Sequence, residues 1–245
     1  MGKDRKALTA AYQYLIMGTI GATFILIGVG LLYMLTGTLN IIDLQQRIPA
    51  LPSSRTLHAA FAFFTVGISL KLALFPLHLW LPNAYAYAPS MITVFLSATA
   101  TKVSIYVLFR FFFGVFTDAA SFGDFHLDKI LLPLSIIAIF VASFVAIFQD
   151  NIKRMFAYSS VAQIGYITLG IGLASKSGSI ASLVYLFNHA IIKGGLFLAM
   201  ACIVLRTSST RLKNFSGLGK RMPWTMAAVV LLGLGLIGVP FTAGF

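Results

Sequence analysis

Long runs of apolar residues, separated by short basic segments, dominate the sequence. A helix needs about 20 predominantly apolar residues to cross the hydrocarbon core of a bilayer. Six runs reach that length, and a seventh begins near Trp224 and is still apolar at Phe245. The six predicted spans cover residues 12–35, 57–81, 91–116, 130–149, 157–174 and 180–205. The pattern predicts an all-α, polytopic transmembrane helix bundle forming one domain over residues 1–245, with about six and a half helices.

The composition agrees with lipid as the main solvent. Hydrophobic residues make up 59% of the chain and charged residues 10%, and the mean hydropathy is +0.93. The net charge of +12 arises from bases that lie mainly between the apolar runs, so we expect anionic lipid headgroups rather than nucleic acid as their partners. The single cysteine, Cys202, lies inside an apolar run, which excludes a disulfide framework or a cysteine metal site within the chain.

The basic residues are distributed unevenly between the two sides of the predicted spans. Ten fall on the side of the N-terminus and five on the other side. Because cytoplasmic loops carry the excess of Lys and Arg, the N-terminus is predicted in the cytoplasm, with the chain in the plasma (inner) membrane. The ten are Lys3, Arg5, Lys6, Lys153, Arg154, Arg206, Arg211, Lys213, Lys220 and Arg221. All six acids are predicted in loops or at helix ends: Asp4, Asp43, Asp118, Asp124, Asp128 and Asp150.

Three further lysines, Lys71, Lys102 and Lys193, fall well inside predicted spans. A charged lysine at the centre of a bilayer costs about 2.5–3.5 kcal/mol on insertion scales, and these three lie too deep to reach the interface easily. A structural lysine, held by backbone carbonyls or by a buried acid, is the alternative. Because burial disfavours the ammonium form, such lysines can accept and release protons, which predicts a proton pathway.

Two histidines are candidates for the same pathway. His189 precedes Lys193 by four residues, so the two side chains share one helix face. An interhelical hydrogen bond is the alternative role for His189. His78 lies close to Pro76 and Lys71, where it can extend the pathway or bond the carbonyls that the proline frees.

Prolines predict breaks in two helices. Pro76 lies five residues after Lys71, and Pro240 interrupts the last span. Non-helical backbone at membrane depth is tolerated where it is buried in protein or lines a watery cavity, and discontinuous helices are typical of transporters with inverted repeats. A kink that only improves packing is the alternative. Trp80, near the end of its span, is predicted at the membrane interface.

No acid lies within any predicted span, so the three lysines have no counter-charge there. Opposite charge normally offsets the burial of a lysine. The lysines are therefore either largely neutral, or their counter-charge lies on another helix or another subunit.

Four segments, taken together, resemble a known family. They are KLALFPLHLWLPNAYAYAP at 71–89, DNIKRMFAYSSVAQIG at 150–165, NHAIIKGGLFL at 188–198 and GVPFTAGF at 238–245. Lys102 follows Lys71 by 31 residues. In this order they are similar to the antiporter-like subunits shared by respiratory complex I and the multisubunit Mrp sodium/proton antiporters.

The resemblance implies an inverted-repeat antiporter-like fold with discontinuous helices and a core of about fourteen helices. The chain would be a fragment, truncated at both ends, matching the sixth helix through the first half of the twelfth. Lys71 would lie beside the broken seventh helix, Lys102 would be the bridging lysine on the eighth, and Lys193 the central lysine of the second half-channel. The family's glutamate partner for the first lysine lies on the fifth helix, and a further ionisable residue comes just beyond Phe245.

The resemblance favours one function and leaves two others open. The first is a membrane subunit of a monovalent cation (sodium)/proton antiporter, because segments 14–24, 35–40, 82–85 and 221–226 look most like the D-type subunits of Mrp antiporters. The second is a proton-pumping membrane subunit of an NADH:quinone oxidoreductase. The third is an ion channel or a structural scaffold. Other membrane subunits are the expected partners, no cofactor is expected, and the chain is not expected to be catalytic by itself.

Overall fold

The protein, described from a computed structural model, is helical over most of its length. The structure describes residues 2–52, 54–117 and 119–244. The predicted loop position of Asp118 and the final residue of the last motif, Phe245, lie outside these ranges. Within them there is no β-strand, and the extended pairing is one isolated bridge between Asn151 and Arg211.

Helices of very different lengths succeed one another along the described part of the chain. The α-helices are α1 (Gly2–Thr36), α2 (Ile41–Arg47), α3 (Arg55–Leu72), α4 (Trp80–Tyr87), α5 (Ser90–Phe95), α6 (Thr101–Phe109), α7 (Leu127–Ile147), α8 (Ile152–Gly172), α9 (Lys176–Thr207), α10 (Leu218–Arg221) and α11 (Pro223–Ile237). Wider π-helical turns occupy Leu96–Ala100, Arg110–Val115 and Ala119–Asp124. Short 3₁₀ turns occupy Ile48–Ala50 and Leu212–Phe215.

Within the described ranges, four helical stretches are long and apolar enough to cross a membrane: Arg5–Thr36, Ser90–Val115, Leu127–Ile147 and Lys176–Thr207. Large apolar side chains on the outer surface, such as Phe140, Phe144 and Leu205, are exposed. Such surfaces suit lipid tails and would be a liability in water. The prediction of an all-α, multi-pass membrane bundle is confirmed.

The predicted span at 57–81 is two helices rather than one. α3 ends at Leu72, Ala73 adopts a left-handed conformation with φ of 60°, and α4 begins at Trp80. The indole Nε1 of Trp80 donates to the carbonyl oxygen of Leu70, 2.9 Å away, and so satisfies a free carbonyl at the end of α3. Trp80 is only 5% exposed, so its ring packs inside the bundle rather than on the outer surface.

Glycines allow α1 and α3 to pack closely. A Cβ atom added to Gly67 would lie 2.8 Å from the carbonyl oxygen of Gly21 and 2.8 Å from Cγ1 of Ile25. Close backbone approach between small residues is a general means of joining helices in membranes. α7 and α8 are joined in a similar way beside Gly165, and there the hydroxyls of Ser135 and Thr168 lie 2.7 Å apart.

One end of the bundle gathers many of the basic residues. The amide of Ile152 donates to the carbonyl of Thr210, and the amide of Leu212 donates to the carbonyl of Asp150, so the start of α8 adjoins the basic segment after α9. Arg5 and Lys6 line a cavity with Tyr87, and the next residue, Ala88, accepts a hydrogen bond from Lys153 at the start of α8, so these two bases lie at the same end.

Candidate functional site

Lys193 occupies the centre of the site. Its side chain is 0% exposed and projects from α9 towards α8. The ammonium donates to the carbonyl oxygen of Phe156, 3.0 Å away, and to the hydroxyl of Ser159. It also lies 5.7 Å from the centre of the Phe156 ring, within the range of a cation–π contact.

A polar stripe runs along the α9 face that carries Lys193. His189 is 1% exposed, and neither of its ring nitrogens has a hydrogen-bond partner among the residues that the structure describes. Tyr185 lies one further turn away, with its ring at 3° to the imidazole plane and 6.3 Å between ring centres. Its hydroxyl donates to the side-chain oxygen of Gln163 on α8. Tyr185, His189 and Lys193 thus lie at successive turns of α9. Polar side chains of the neighbouring helix α8 contact this stripe.

A cavity of about 920 Å³ opens beside this stripe, between α7, α8, α9 and the end of α11. Its polar lining includes Ser159, Gln163, Tyr166, Ser182, Tyr185 and Asn188. The rest of the wall is largely apolar, and water in a cavity of this size would bind at these polar groups. Because Ser159 both lines the cavity and accepts from Lys193, the ammonium is one hydrogen bond from the cavity wall.

Lys102 lies on α6, close to the face of α9 that carries Lys193. It is 7% exposed, and its ammonium donates to the carbonyl oxygen of Ser97 and to the hydroxyl of Thr101. Ser97 belongs to the π-helical turn Leu96–Ala100, which directly precedes α6. A Cβ atom added to Gly194 would lie 3.3 Å from the Cβ of Ala98, so this turn packs on α9 beside Lys193.

Lys71 is less buried than its place inside a predicted span suggests. It is only partly buried and lines a cavity of about 200 Å³ together with Tyr14, Trp80 and Ser104. Because it lies in the last turn of α3, its charge is next to the negative end of the helix dipole. The carboxyl end of α3 at this break therefore stabilises the positive charge of Lys71.

The remaining predicted residues, Pro76, His78 and Pro240, lie just beyond the ends of α3 and α11. His78 is buried within the turn that contains Pro76, and its ring stacks on Phe75 with 5.2 Å between centres. Its Nδ1 atom has no hydrogen-bond partner within the described part of the chain. At the other end, α11 stops at Ile237, because Gly238 adopts a left-handed φ of 81°. Pro240 lies in the turns after Gly238.

Lys153 is a buried lysine that sequence reasoning missed, having counted it with the loop bases. It is 4% exposed and lies in the first turn of α8. Its ammonium donates to the hydroxyl of Ser90, 3.0 Å away, and to the carbonyl of Ala88, 3.4 Å away. Its position in the sequence could have indicated that it begins a helix within a family motif. Lys153 lies inside the motif at 150–165, two residues after Asn151, and the side chain of Asn151 caps α8.

The acceptors for Lys102, Lys153 and Lys193 are all neutral oxygens, from backbone carbonyls or hydroxyl groups. A carboxylate would hold each lysine in its charged form, whereas neutral acceptors do so much less strongly. At Lys102 and Lys193, which pack beside each other through the turn at 96–100, the arrangement can therefore bind a proton at a buried amine and release it again.

The sequence of this chain is similar to those of known proteins. The family model described as "NADH:quinone oxidoreductase/Mrp antiporter, TM" matches residues 1–245. The N subunit of an NADH-quinone oxidoreductase from Desulforudis audaxviator is 42% identical over 241 residues, covering 98% of this chain and 48% of the relative. The D-type subunit of a Na(+)/H(+) antiporter from Alkalihalophilus pseudofirmus is 29% identical over 245 residues, covering 100% of this chain and 49% of the relative. The chain thus spans about half the length of these curated relatives.

A solved structure shows the same helix arrangement. A chain in the structure of the Mrp complex from a Dietzia species superposes with a TM-score of 0.87 at 29% identity, covering 95% of this chain and 42% of that one. This chain therefore shares its overall fold with part of a chain of that complex.

Proposed function

Since its full length matches the family model, the chain belongs to the NADH:quinone oxidoreductase/Mrp antiporter transmembrane family, and we propose that it forms part of a proton-translocating membrane subunit. The observation that carries the proposal is Lys193, an amine with no exposed surface and neutral acceptors, one of which, the Ser159 hydroxyl, lines the large cavity. A lysine in that setting is expensive to bury and marks an ion or proton pathway by default.

The pathway we propose begins in the large cavity. A proton carried by water there reaches Lys193 through Ser159, with His189 one helical turn away as a second acceptor. The packing of the π-helical turn on α9 supports Lys102 as the next member of the pathway, and the cavity at the break after α3 supports Lys71 as the one after it. A positive charge arriving at one lysine repels the proton on the next, so each transfer favours the following one.

The sequence identities support a subunit of a quinone-linked respiratory complex as the first assignment. The relative from the NADH-quinone oxidoreductase is 42% identical, whereas antiporter-type relatives are 29% and 34% identical. In this assignment, electron transfer in other subunits drives proton movement through the chain. This reverses the order reached from sequence motifs alone, which put the antiporter first.

A sodium/proton antiporter subunit is the second candidate, supported by the TM-score of 0.87 to a chain of the Mrp complex. Both assignments imply other membrane subunits as partners. The basic residues gathered at one end of the bundle support a cytoplasmic N-terminus, with the chain in the plasma membrane.

The test uses membrane vesicles that contain the complete assembly, with either the native sequence or Lys193→Ala. Acidification of the lumen is followed first with a quinone-linked electron donor as the driving force, and separately with an imposed sodium gradient. We expect Lys193→Ala to abolish most proton movement at an unchanged amount of assembled complex. The driving force that works in native vesicles distinguishes the two assignments.

A scaffold or channel predicts different results. A scaffold would tolerate Lys71, Lys102 and Lys193 changed together to Leu, with proton movement intact. A channel would dissipate an imposed pH gradient without electron donor or sodium. Either result would contradict the proposed function.

A further inference from the structure

Lys153 is a buried charged residue that the proposed pathway does not use. Its two acceptors, Ala88 and Ser90, belong to the link that joins α4 to α5. An ammonium buried at 4% exposure loses most of its hydration, and two neutral acceptors replace only part of it. A buried lysine of this kind needs an explanation beyond local stability.

The link, defined here as Ala88, Pro89 and the first residue of α5, Ser90, contains no titratable group. A proton released by Lys153 towards the link would therefore have no basic side chain to receive it. This argues against Lys153 as a member of the pathway. Instead, the link is held from two sides, by Lys153 on α8 and by the hydroxyl of Thr93 on α5, which donates to the carbonyl of Ala88.

The position of the link determines where the Lys102 segment begins. α5 starts at Ser90 and continues without interruption into the π-helical turn that supplies the Ser97 carbonyl to Lys102. α8 carries Lys153 and, one turn later, the Phe156 carbonyl that accepts from Lys193. One helix therefore contacts the Lys193 ammonium directly and fixes the start of the segment that leads to Lys102.

We infer that Lys153 is a positioning residue, which ties the α4–α5 link to α8 and so sets the spacing between the Lys102 segment and the Lys193 site. The inference rests on the proposed function, because the spacing matters only if protons pass between these two lysines. Lys153 acts here as a hydrogen-bonding cation that keeps its proton.

The experiment compares four variants of the complete assembly in membrane vesicles: Lys153→Met, Lys153→Arg, Ser90→Ala and Lys220→Met. The last is the matched control, because Lys220 is an exposed lysine in the basic segment at the same end of the bundle. Proton translocation is measured per assembled complex, with the amount of complex quantified separately. A displacement of about 1 Å can cost about 10²-fold in rate, so Lys153→Met should reduce translocation per complex about tenfold or more.

The other variants identify the cause of the loss. Lys153→Arg keeps a charged donor and should retain most of the rate. Ser90→Ala removes one acceptor and should reduce the rate, and combining it with Lys153→Met should add little, because both changes break the same contact. Lys220→Met should leave the rate unchanged. If Lys153→Met prevents assembly, Ser90→Ala decides the question, since it removes a single hydroxyl.

Three results would overturn the inference. Unchanged translocation per complex in Lys153→Met, or in Ser90→Ala where the Met variant does not assemble, would show that the contact does not position the pathway. Equal losses in Lys153→Arg and Lys153→Met would show that Lys153 must release its proton, as a member of the pathway does. Lys193→Ala, measured alongside, separates a failure of the proposed function from a failure of this inference. Normal translocation in Lys193→Ala would refute the proposed function. An inactive Lys193→Ala together with normal translocation in Lys153→Met would refute only the positioning role of Lys153.

Discussion

The ammonium of Lys193 on α9 lies 3.0 Å from the carbonyl oxygen of Phe156 on α8 and 5.7 Å from the centre of the ring of that same residue. One residue of the neighbouring helix therefore offers both a backbone dipole and an aromatic face to the cation. A desolvated cation–π contact contributes about 2 kcal/mol or more. These two neutral groups stabilise the charged amine without the permanent counter-charge that would prevent it from losing its proton.

His189 should be replaceable without loss of stability but not without loss of transport. Its two ring nitrogens are buried and have no partner among the described residues, and an unsatisfied buried polar group costs about 1–3 kcal/mol. His189→Phe removes that cost, so the thermal midpoint of the complete subunit in detergent should stay the same or rise. Proton translocation per complex should fall, because the base beside Lys193 is gone.

Phe187→Leu, two residues away and 68% exposed, serves as the control for His189→Phe, and it should change neither quantity. A marked drop in the thermal midpoint of His189→Phe, with normal translocation, would instead assign His189 a structural hydrogen bond.

The contact between α1 and α3 should be sensitive to a single methyl group. In Gly67→Ala the new Cβ would lie 2.8 Å from the Gly21 carbonyl, and overpacking of this kind costs about 1–3 kcal/mol. A Cβ atom at Gly30 on α1 would meet no described atom within 4 Å, and alanine favours a helix over glycine by about 1 kcal/mol. Thermal unfolding of the complete subunit should therefore shift down for Gly67→Ala and slightly up for Gly30→Ala. Shifts in the same direction would contradict the close packing.

Much of this architecture could be predicted from the chain, because hydropathy follows directly from residue type. The predicted span at 180–205 corresponds to α9, Lys176–Thr207, and the span at 130–149 corresponds to α7, Leu127–Ile147. The π-helical turn before Lys102 could not be predicted in this way. An extra residue in a helical turn leaves apolar periodicity almost unchanged over so short a stretch.

The burial of individual lysines could be predicted only in part. Lys102 and Lys193 were recognised because many apolar residues separate them from either end of a span. Lys153 was missed because it is four residues before the predicted span at 157–174, where a lysine normally reaches water. Its burial depends on the distant link at Ala88–Ser90, which packs against the start of α8 and whose position has no signature near Lys153.

Trp80 should couple the end of α3 to the Lys71 cavity. Trp80→Phe keeps most of the ring but loses the hydrogen bond to the Leu70 carbonyl, which contributes about 0.5–1.5 kcal/mol. We expect a modest drop in the thermal midpoint and a reduced rate of proton translocation, because Trp80 and Lys71 line the same cavity. Trp224→Phe, at a residue 87% exposed, is the matched control and should alter neither. Equal effects at both tryptophans would indicate a general loss of membrane anchoring.

The sharpest prediction concerns arginine in place of Lys193 or Lys102. Arginine keeps the positive charge but does not lose its proton in a protein, whereas a relay needs a base that both binds and releases one. Translocation per assembled complex should fall about 10²-fold or more for Lys193→Arg and Lys102→Arg, the scale on which a positioned proton-transfer group contributes. Alanine at either position should reduce transport as severely.

Lys153→Arg is the matched control for these two changes, because it makes the same substitution at another buried lysine of the same protein, 4% exposed, and should retain most of the rate. A general inability of the bundle to accommodate a guanidinium would inactivate all three arginine variants and reduce the amount of assembled complex. Lysines that serve only as fixed charges would give the reverse pattern, with arginine tolerated and alanine costing assembly. Normal transport by Lys193→Arg and Lys102→Arg would therefore exclude proton exchange at these lysines, since a guanidinium in their place would still carry its charge throughout the cycle.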